Sequence, residues 1–226
     1  GTPVTTLQRT DSTWIVNDSI EAPVLIGAGG HFCPVARHLR GGGADHERPI
    51  VAKEAEFLSA RIAPKAGHQP PSLYFCRDLD GYGWSVPKGD YLNVGIGRRG
   101  SHGFARHVAD FVAFLEAHDI HAGDPEVRWR GHAYFAAGMS KRPLVDRGVL
   151  LVGDSAGLAY PESGEGIRPA IESGLLAAET LIAVRDGRYE IDALQPYADA
   201  IREAHRVTAG RPTSASAFWA SMAIGN

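Results

Sequence analysis

Cysteine is scarce in this sequence. Cys33 and Cys76 are the only two among 226 residues, too few for a disulfide framework and suited to a reducing, cytoplasmic compartment. No apolar run approaches the length of a membrane span, and none has the layout of a secretion signal. Positive charge is not in excess either. With 23 Lys and Arg against 26 Asp and Glu, the formal net charge is -3, which gives no field for nucleic acid and argues against such a partner. His118 and His121 flank Asp119-Ile120, but no second cluster at ligand spacing accompanies them, so no metal site is expected. There is no initiator methionine, and Gly1 opens directly into strand-like sequence. What the chain does have is glycine, 27 residues of it, and 44% hydrophobic content, enough to core one large domain or two small ones.

The densest signal runs from Gly148 to Leu181. Val149 to Val152 is a short apolar run of the kind buried on both faces of a sheet, ending at Gly153-Asp154. A loop with Pro161, Gly164, Glu165 and Gly166 follows. Then Ile167, Ile171, Leu175, Ala178 and Ile182 recur at three- and four-residue spacing, as on one helix face. The loop thus delivers a helix start to the end of a buried strand. Unpaired N–H groups and the positive dipole end there suit a phosphate, a carboxylate or an electron-rich ring edge. Asp154 is placed to accept hydrogen bonds from hydroxyls such as those of a ribityl chain or a ribose. An ordinary strand-loop-helix with a capping loop would carry some of the same residues.

Gly153-Asp154-Ser155-Ala156-Gly157 also fits G-x-S-x-G, the nucleophile elbow of α/β-hydrolases. That reading needs an acid, for which Asp186, Asp192 and Asp199 are candidates, and His205 as the histidine. It expects further strands downstream and a helix straight after the elbow, whereas the rest of this chain reads as helix and tail, and Pro161 delays the helix.

The segment Gly148 to Gly174 resembles the second FAD-binding motif of flavoprotein oxidoreductases of the geranylgeranyl reductase type, within the larger glutathione-reductase and hydroxylase-like FAD superfamily. The resemblance extends more weakly over Val24 to Ala36 and Gly81 to Gly97. It implies that Asp154, with Gly153, binds the ribityl chain of FAD, and that the Pro161, Gly164, Glu165, Gly166 and Ile167 loop passes the pyrimidine edge of the flavin. Gly29 and Gly30 fall where many hydroxylases of the superfamily have Asp-Gly associated with FAD and NADPH. Glycine at 29 departs from that pattern, which counts against an NADPH-dependent hydroxylase. Members of the family begin with a strand, a G-x-G-x-x-G turn and a helix that holds the FAD pyrophosphate. No such unit is read here, since Gly27-Ala28-Gly29-Gly30 lacks the third glycine. The chain is therefore expected to be the later part of a longer protein, binding FAD weakly or not at all by itself.

In chain order, Val4 to Arg9 and Thr13 to Asp18 alternate around Thr10-Asp11-Ser12 and predict a hairpin. Val24 to Ile26 predicts a buried strand, and Pro34 opens a short helix, Val35 to Leu39. Cys33 precedes that helix, where the dipole could lower a thiol pKa or where a small thiol could simply pack a turn; His31 shares the ambiguity. After a glycine-rich linker, Arg40 to Asp45, strands are predicted at Ile50 to Phe57, Leu73 to Cys76, Gly83 to Val86, Tyr91 to Gly97 and Val127 to Phe135. Pro87-Lys88-Gly89-Asp90 is a tight turn. Tyr82-Gly83-Trp84-Ser85-Val86-Pro87 resembles the Y-x-W-x-x-P signature of geranylgeranyl reductases, whose aromatics line the cavity beside the flavin. An aromatic pair on a strand is also common cross-strand packing. A helix from Gly103 to about Ala117, capped by Ser101, and another from Asp192 to Arg206 complete the pattern. Phe218, Trp219, Met222 and Ile224 mark a tail of undecided role.

These readings predict a mixed α/β fold, the later part of a Rossmann-like FAD domain (residues 1–43 and 144–206, with a tail at 207–226) joined to a β-rich antiparallel substrate domain (44–143). The function implied by the resemblance is FAD-mediated hydride transfer to a double bond of an isoprenoid or other lipid-like substrate. Tyr82, Trp84 and Cys33 are its substrate-pocket candidates, and no side chain declares itself a proton donor. The hydrophobic substrate brings with it peripheral membrane contact, and NAD(P)H is a candidate electron donor. An electron-transfer flavoprotein dehydrogenase, an FAD monooxygenase, a serine esterase and a truncated, non-catalytic chain stay open as alternatives.

Overall fold

The computed structural model describes residues 1–41, 48–62, 70–184 and 187–209. Most of the linker, Asp186 and the four apolar residues of the tail lie outside them. The chain divides into two compact units, residues 1–43 with 136–226, and residues 44–135.

The elements run in chain order as β1 (Leu7–Arg9), β2 (Trp14–Val16), β3 (Ile20–Ala22), β4 (Leu25–Gly27) and α1 (Pro34–Leu39). Next come β5 (Ile50–Leu58), α2 (Ser59–Ile62), β6 (Ser72–Phe75), β7 (Gly81–Lys88), β8 (Tyr91–Arg99), α3 (Phe104–Glu116) and β9 (Arg130–Tyr134). The last are β10 (Val145–Asp146), β11 (Val149–Leu151), α4 (Ile167–Ala183) and α5 (Ile191–Ala209), with a single 3-10 turn at Gly153–Ser155.

In the first unit the predicted hairpin is β1 and β2, and β3 adds a third antiparallel strand. The chain reverses at Asn17 and Asp18, both at positive φ, a conformation Asn and Asp tolerate because their side chains can bond locally. A second sheet has the order β10-β11-β4, with β11 and β4 parallel and Leu151 opposite Gly27. Residues Val149, Leu150 and Leu151 are fully buried, as expected. The expectation of a buried strand at Val24 to Ile26 needs correction. Among the described residues β4 has a neighbour on one side only, and Ile26 is 47% exposed.

The helix following the loop is present, but its apolar stripe does not face the core. Ile167, Ile171, Leu175 and Ile182 are 58% to 80% exposed, while Pro169, Ser173, Ala177 and Thr180 are buried. Close approach is the cause, because a Cβ at Gly153 would stand 3.0 Å from that of Ala170, so only a small-residue face of α4 fits against the 3-10 turn. Tyr197 of α5 is fully buried and donates its hydroxyl proton to the Leu151 carbonyl.

The second unit is a five-stranded antiparallel sheet of order β6-β7-β8-β5-β9. Its core joins Ala55, Phe57, Leu92, Val94 and Ile96 of the sheet to Val108, Phe111 and Leu115 of α3. The β7-β8 hairpin closes on Gly89-Asp90 with Gly89 at φ 62°. Ser101 does not cap α3 with its side chain. Gly103 occupies the cap position, and the Ser101 backbone carbonyl accepts from Phe104 N–H at 3.2 Å. The strand read at Val127 to Phe135 is shorter, because Val127 is taken into a turn by its N–H bond to the Asp124 carbonyl. One stretch, Gly95-Ile96-Gly97-Arg98-Arg99-Gly100, does match the G-x-G-x-x-G spacing literally, contrary to the expectation that the chain contains none. It forms no phosphate turn, because Gly95 to Arg99 lie inside β8, their backbone groups within a strand paired on both edges. Glycine is needed at 95 for another reason. Any Cβ there would stand 2.2 Å from the Trp84 ring, which lies flat on the sheet at that point.

Candidate functional site

Two turns leave the same ends of the parallel pair in the first unit. One follows β4 and holds Gly29 and Gly30; the other follows β11 and holds Gly153 and Asp154. Val152 N–H continues the ladder to the Gly27 carbonyl at 3.1 Å. Beyond it the Ser155 hydroxyl donates to the Gly30 carbonyl at 3.1 Å. Gly153 sits at φ 53°, and its N–H donates to the Ser173 hydroxyl of α4 at 3.0 Å. The sheet ends, the two turns and α4 are thereby tied together by hydrogen bonds from the backbone and short side chains.

Asp154 is half-buried at this junction. One of its carboxylate oxygens would be 3.1 Å from a Cβ placed on Gly166, the residue that caps α4, so the absence of a side chain at 166 is what lets the acid lie beside the helix start. The intervening loop is closed on itself by Gly164 N–H to the Tyr160 carbonyl and Tyr160 N–H to the Glu165 carbonyl, at 2.8 and 2.9 Å. Pro161 is exposed on it. Glu165, expected as a cofactor-side residue, caps the helix, accepting the Arg168 N–H at 2.9 Å. Pro169 lacks an N–H and the Arg168 and Ala170 N–H groups donate to Glu165 and Gly166, with the Ile167 N–H at the helix start between them. The structure therefore brings Gly29, Gly30, Gly153, Asp154, Glu165, Gly166 and Ile167 into one region of one unit.

Cys33 belongs to the hydrophobic core of that unit, 2% exposed, its sulfur packed against Gly27 and Gly29. Its position gives it the turn-packing role rather than that of a reactive or pocket-lining thiol. The other two pocket candidates are in the second unit and do lie together. Trp84 pairs with Gly95 and Ser85 with Val94; since Val94 packs with α3, Tyr82 and Trp84 occupy the opposite face of the sheet. Their rings are 6.0 Å apart, with Phe75 6.4 Å beyond Tyr82. Trp84 donates its indole N–H to Asn93 at 2.7 Å, and burial pushes the Tyr82 phenol up from its ordinary pKa. A cavity of about 590 Å³ lies on the α3 side instead, lined by Tyr74, Cys76, Asp78, His107, Phe111 and Phe114 among others; neither Tyr82 nor Trp84 reaches it. His118 bonds the Phe114 carbonyl and His121 pairs with Glu116.

The esterase geometry is absent at Ser155. The side chain is fully buried and its hydroxyl is committed to Gly30, so it has no access to a substrate carbonyl. The His205 ring lies 6.3 Å from that of Tyr160 at a tilt of 51°, and burial lowers its imidazole pKa.

Sequence reasoning missed Arg142. Between Lys141 and Pro143 it reads as a solvated loop charge, yet it is 6% exposed. Its guanidinium donates to the carbonyls of Asp154, Ser155 and His31. Nothing in a one-dimensional pattern marks such a residue, because its partners are backbone groups 12 to 111 positions away.

No family model matches the chain. Digeranylgeranylglycerophospholipid reductase of Methanothrix thermoacetophila is 35% identical over 201 residues, 81% of this chain and 47% of that protein. The chloroplastic geranylgeranyl diphosphate reductase of Nicotiana tabacum is 33% identical over 171 residues, 73% of this chain and 34% of that protein. The chain is similar in sequence to reductases named for geranylgeranyl and digeranylgeranyl substrates. The chain spans about a third to a half of the length of the curated relatives it matches. Its fold matches a geranylgeranyl bacteriochlorophyll reductase-like protein of Thermoplasma acidophilum, with a TM-score of 0.68 at 24% identity over 89% of this chain and 53% of that one. No helix among the described residues is long and apolar enough to cross a membrane.

Proposed function

We propose that this chain supplies the second FAD-binding motif and the substrate-binding sheet of a flavin-dependent reductase acting on a carbon-carbon double bond of an isoprenoid lipid. The observation that carries the reading is the half-buried Asp154 at the end of β11, held beside a helix start by a glycine that leaves it room. An acid there accepts hydrogen bonds from polyol hydroxyls, and the Ile167 N–H with the dipole of a 17-residue helix favours negative charge on a ring edge. These residues fit the ribityl chain and pyrimidine edge of FAD. When bound in its reduced form, FAD supplies the hydride; the protein's part is to orient, exclude water and bind the lipid-like chain. The relatives named for geranylgeranyl and digeranylgeranyl substrates support that substrate class. Tyr82 and Trp84 form an aromatic face suited to such a chain, and NAD(P)H is the electron donor in this reading, tested by whether NADPH bleaches the bound flavin.

The decisive experiment is Asp154→Ala in the full-length polypeptide that carries this chain. Loss of a charge-assisted hydrogen bond weakens FAD binding by about 1.5–3 kcal/mol, read by equilibrium dialysis, with the unfolding midpoint of the apoprotein little changed. Undiminished flavin occupancy in the variant sinks the assignment. Trp84→Ala should alter turnover or chain-length preference without releasing FAD; flavin loss with unchanged turnover per bound flavin would count against the aromatic face.

A further inference from the structure

Arg142 is a buried cation of the first unit that donates to three backbone carbonyls. Its NH1 group donates to the Asp154 carbonyl at 3.3 Å and the Ser155 carbonyl at 3.1 Å, while NH2 donates to the His31 carbonyl at 2.9 Å. The residue is 6% exposed. Burying a guanidinium is costly unless its donors are satisfied, so a site that keeps one buried on backbone carbonyls has a geometric use for it. The carbonyls belong to both turns described above, one after β4 and one after β11. The parallel ladder between those strands ends at Val152 and Gly27. Past that point the turns are joined by the Arg142 fork and by Ser155 Oγ donating to the Gly30 carbonyl.

From this geometry we infer that Arg142 is the positioning residue of the cofactor site, a fork that sets the spacing of the two turns, with Ser155 as its companion latch. The inference rests on the FAD reading above. Arg142 touches the backbone of Asp154, so it acts through that residue. The planar guanidinium matters because it reaches three carbonyls in fixed directions from one centre. A lysine ammonium is a compact point charge on a flexible stem and cannot span both turns in the same way. The hydroxyl of Ser155 therefore has a structural assignment of its own within the Gly-Asp-Ser-Ala-Gly run. It closes the turn-to-turn contact from the opposite strand.

The test uses the full-length polypeptide with Arg142→Lys, Arg142→Ala, Ser155→Ala and Asp154→Ala side by side. FAD affinity is measured by dialysis, thermal unfolding of the apoprotein by circular dichroism, and the environment of the bound flavin by its visible circular dichroism. Arg142→Lys and Ser155→Ala should each weaken FAD binding about tenfold, the worth of one to two buried hydrogen bonds. Both should shift the visible flavin dichroism while the apoprotein still unfolds cooperatively. Guanidinium ion at low millimolar concentration should restore part of the affinity to Arg142→Ala and none to Ser155→Ala. If Arg142→Lys and Ser155→Ala bind FAD with parental affinity and spectrum while Asp154→Ala loses it, the positioning role is wrong and the FAD reading stands. Failure of the parent itself to bind FAD overturns both.

Discussion

Helices α3 and α4 are both amphipathic by spacing, and they meet their surroundings in opposite ways. α3 lays Val108, Phe111 and Leu115 onto an open sheet face that already presents Leu92, Val94 and Ile96. There the sheet-helix gap is wide enough to be filled by large side chains, and burial of those chains stabilises the unit. α4 approaches the Gly153–Ser155 turn so closely that its Pro169, Ser173 and Ala177 take the inner face, and Ile171 and Leu175 are left outside. The same contrast runs through the two units. The second is organised by side chains alternating across antiparallel strands; the first holds its candidate site by backbone amides, carbonyls and short hydroxyls. Apolar spacing therefore identifies a helix, and the partner surface decides which face is buried.

The sharpest way to break this contrast is at the core of the second unit. Leu115 is fully buried, so Leu115→Ala should cost about 2–5 kcal/mol of stability, read as a drop in the urea midpoint. A cost below 1 kcal/mol would mean that α3 is not seated as described.

Next in size is an acid-dependent effect on the same unit. Arg98 is 8% exposed and pairs with Asp78 at 2.9 Å. The hydrogen bond from Arg98, followed by the Asp80 N–H, holds the Asp78 carboxyl below its ordinary value of 3.8. A carboxyl with a depressed folded pKa contributes stability above its unfolded pKa, and that contribution is lost as pH falls from about the ordinary value through the folded one. Thermal unfolding of the parent should therefore weaken below about pH 3.8 by an increment that Asp78→Asn lacks, the variant being already less stable at neutral pH. Parallel pH profiles for the two proteins would remove the pair from the account.

The smallest effect is expected on α4. Leu175→Lys in this chain should change stability by no more than about 0.5 kcal/mol, as for surface positions generally, because the side chain is 62% exposed. A loss comparable to that of Leu115→Ala would show that the α4 stripe is packed.

Elements with local signals were legible. The β7-β8 hairpin follows from Lys88-Gly89-Asp90 between alternating runs, α1 from Pro34, and β11 from four consecutive apolar residues before Gly153-Asp154. Asp154 and the glycines around it stood out for the same reason, as an acid and small residues between a buried strand and a helix. Ser101 shows the limit of such signals. Its type suits a helix cap, but Gly103 at φ 66° turns the chain so that only its carbonyl serves. The glycine spacing at 95–100 shows it from the other side, because a motif defined by spacing is met inside a strand whose glycines make room for Trp84.

By itself, then, the sequence determined the kind and approximate place of most strands, helices and tight turns, which residues could accept hydrogen bonds at the end of β11, and the family that the pattern resembles. These depend on interactions within a few residues of one another, and composition records them directly. Tertiary structure alone decided that Arg142 is buried as a fork between two turns, that Ser155 is a latch, that Cys33 is core, and that the apolar stripe of α4 faces outward. Each depends on how closely two distant backbones approach, a distance set by the packing of the whole unit and written in no single stretch of the chain.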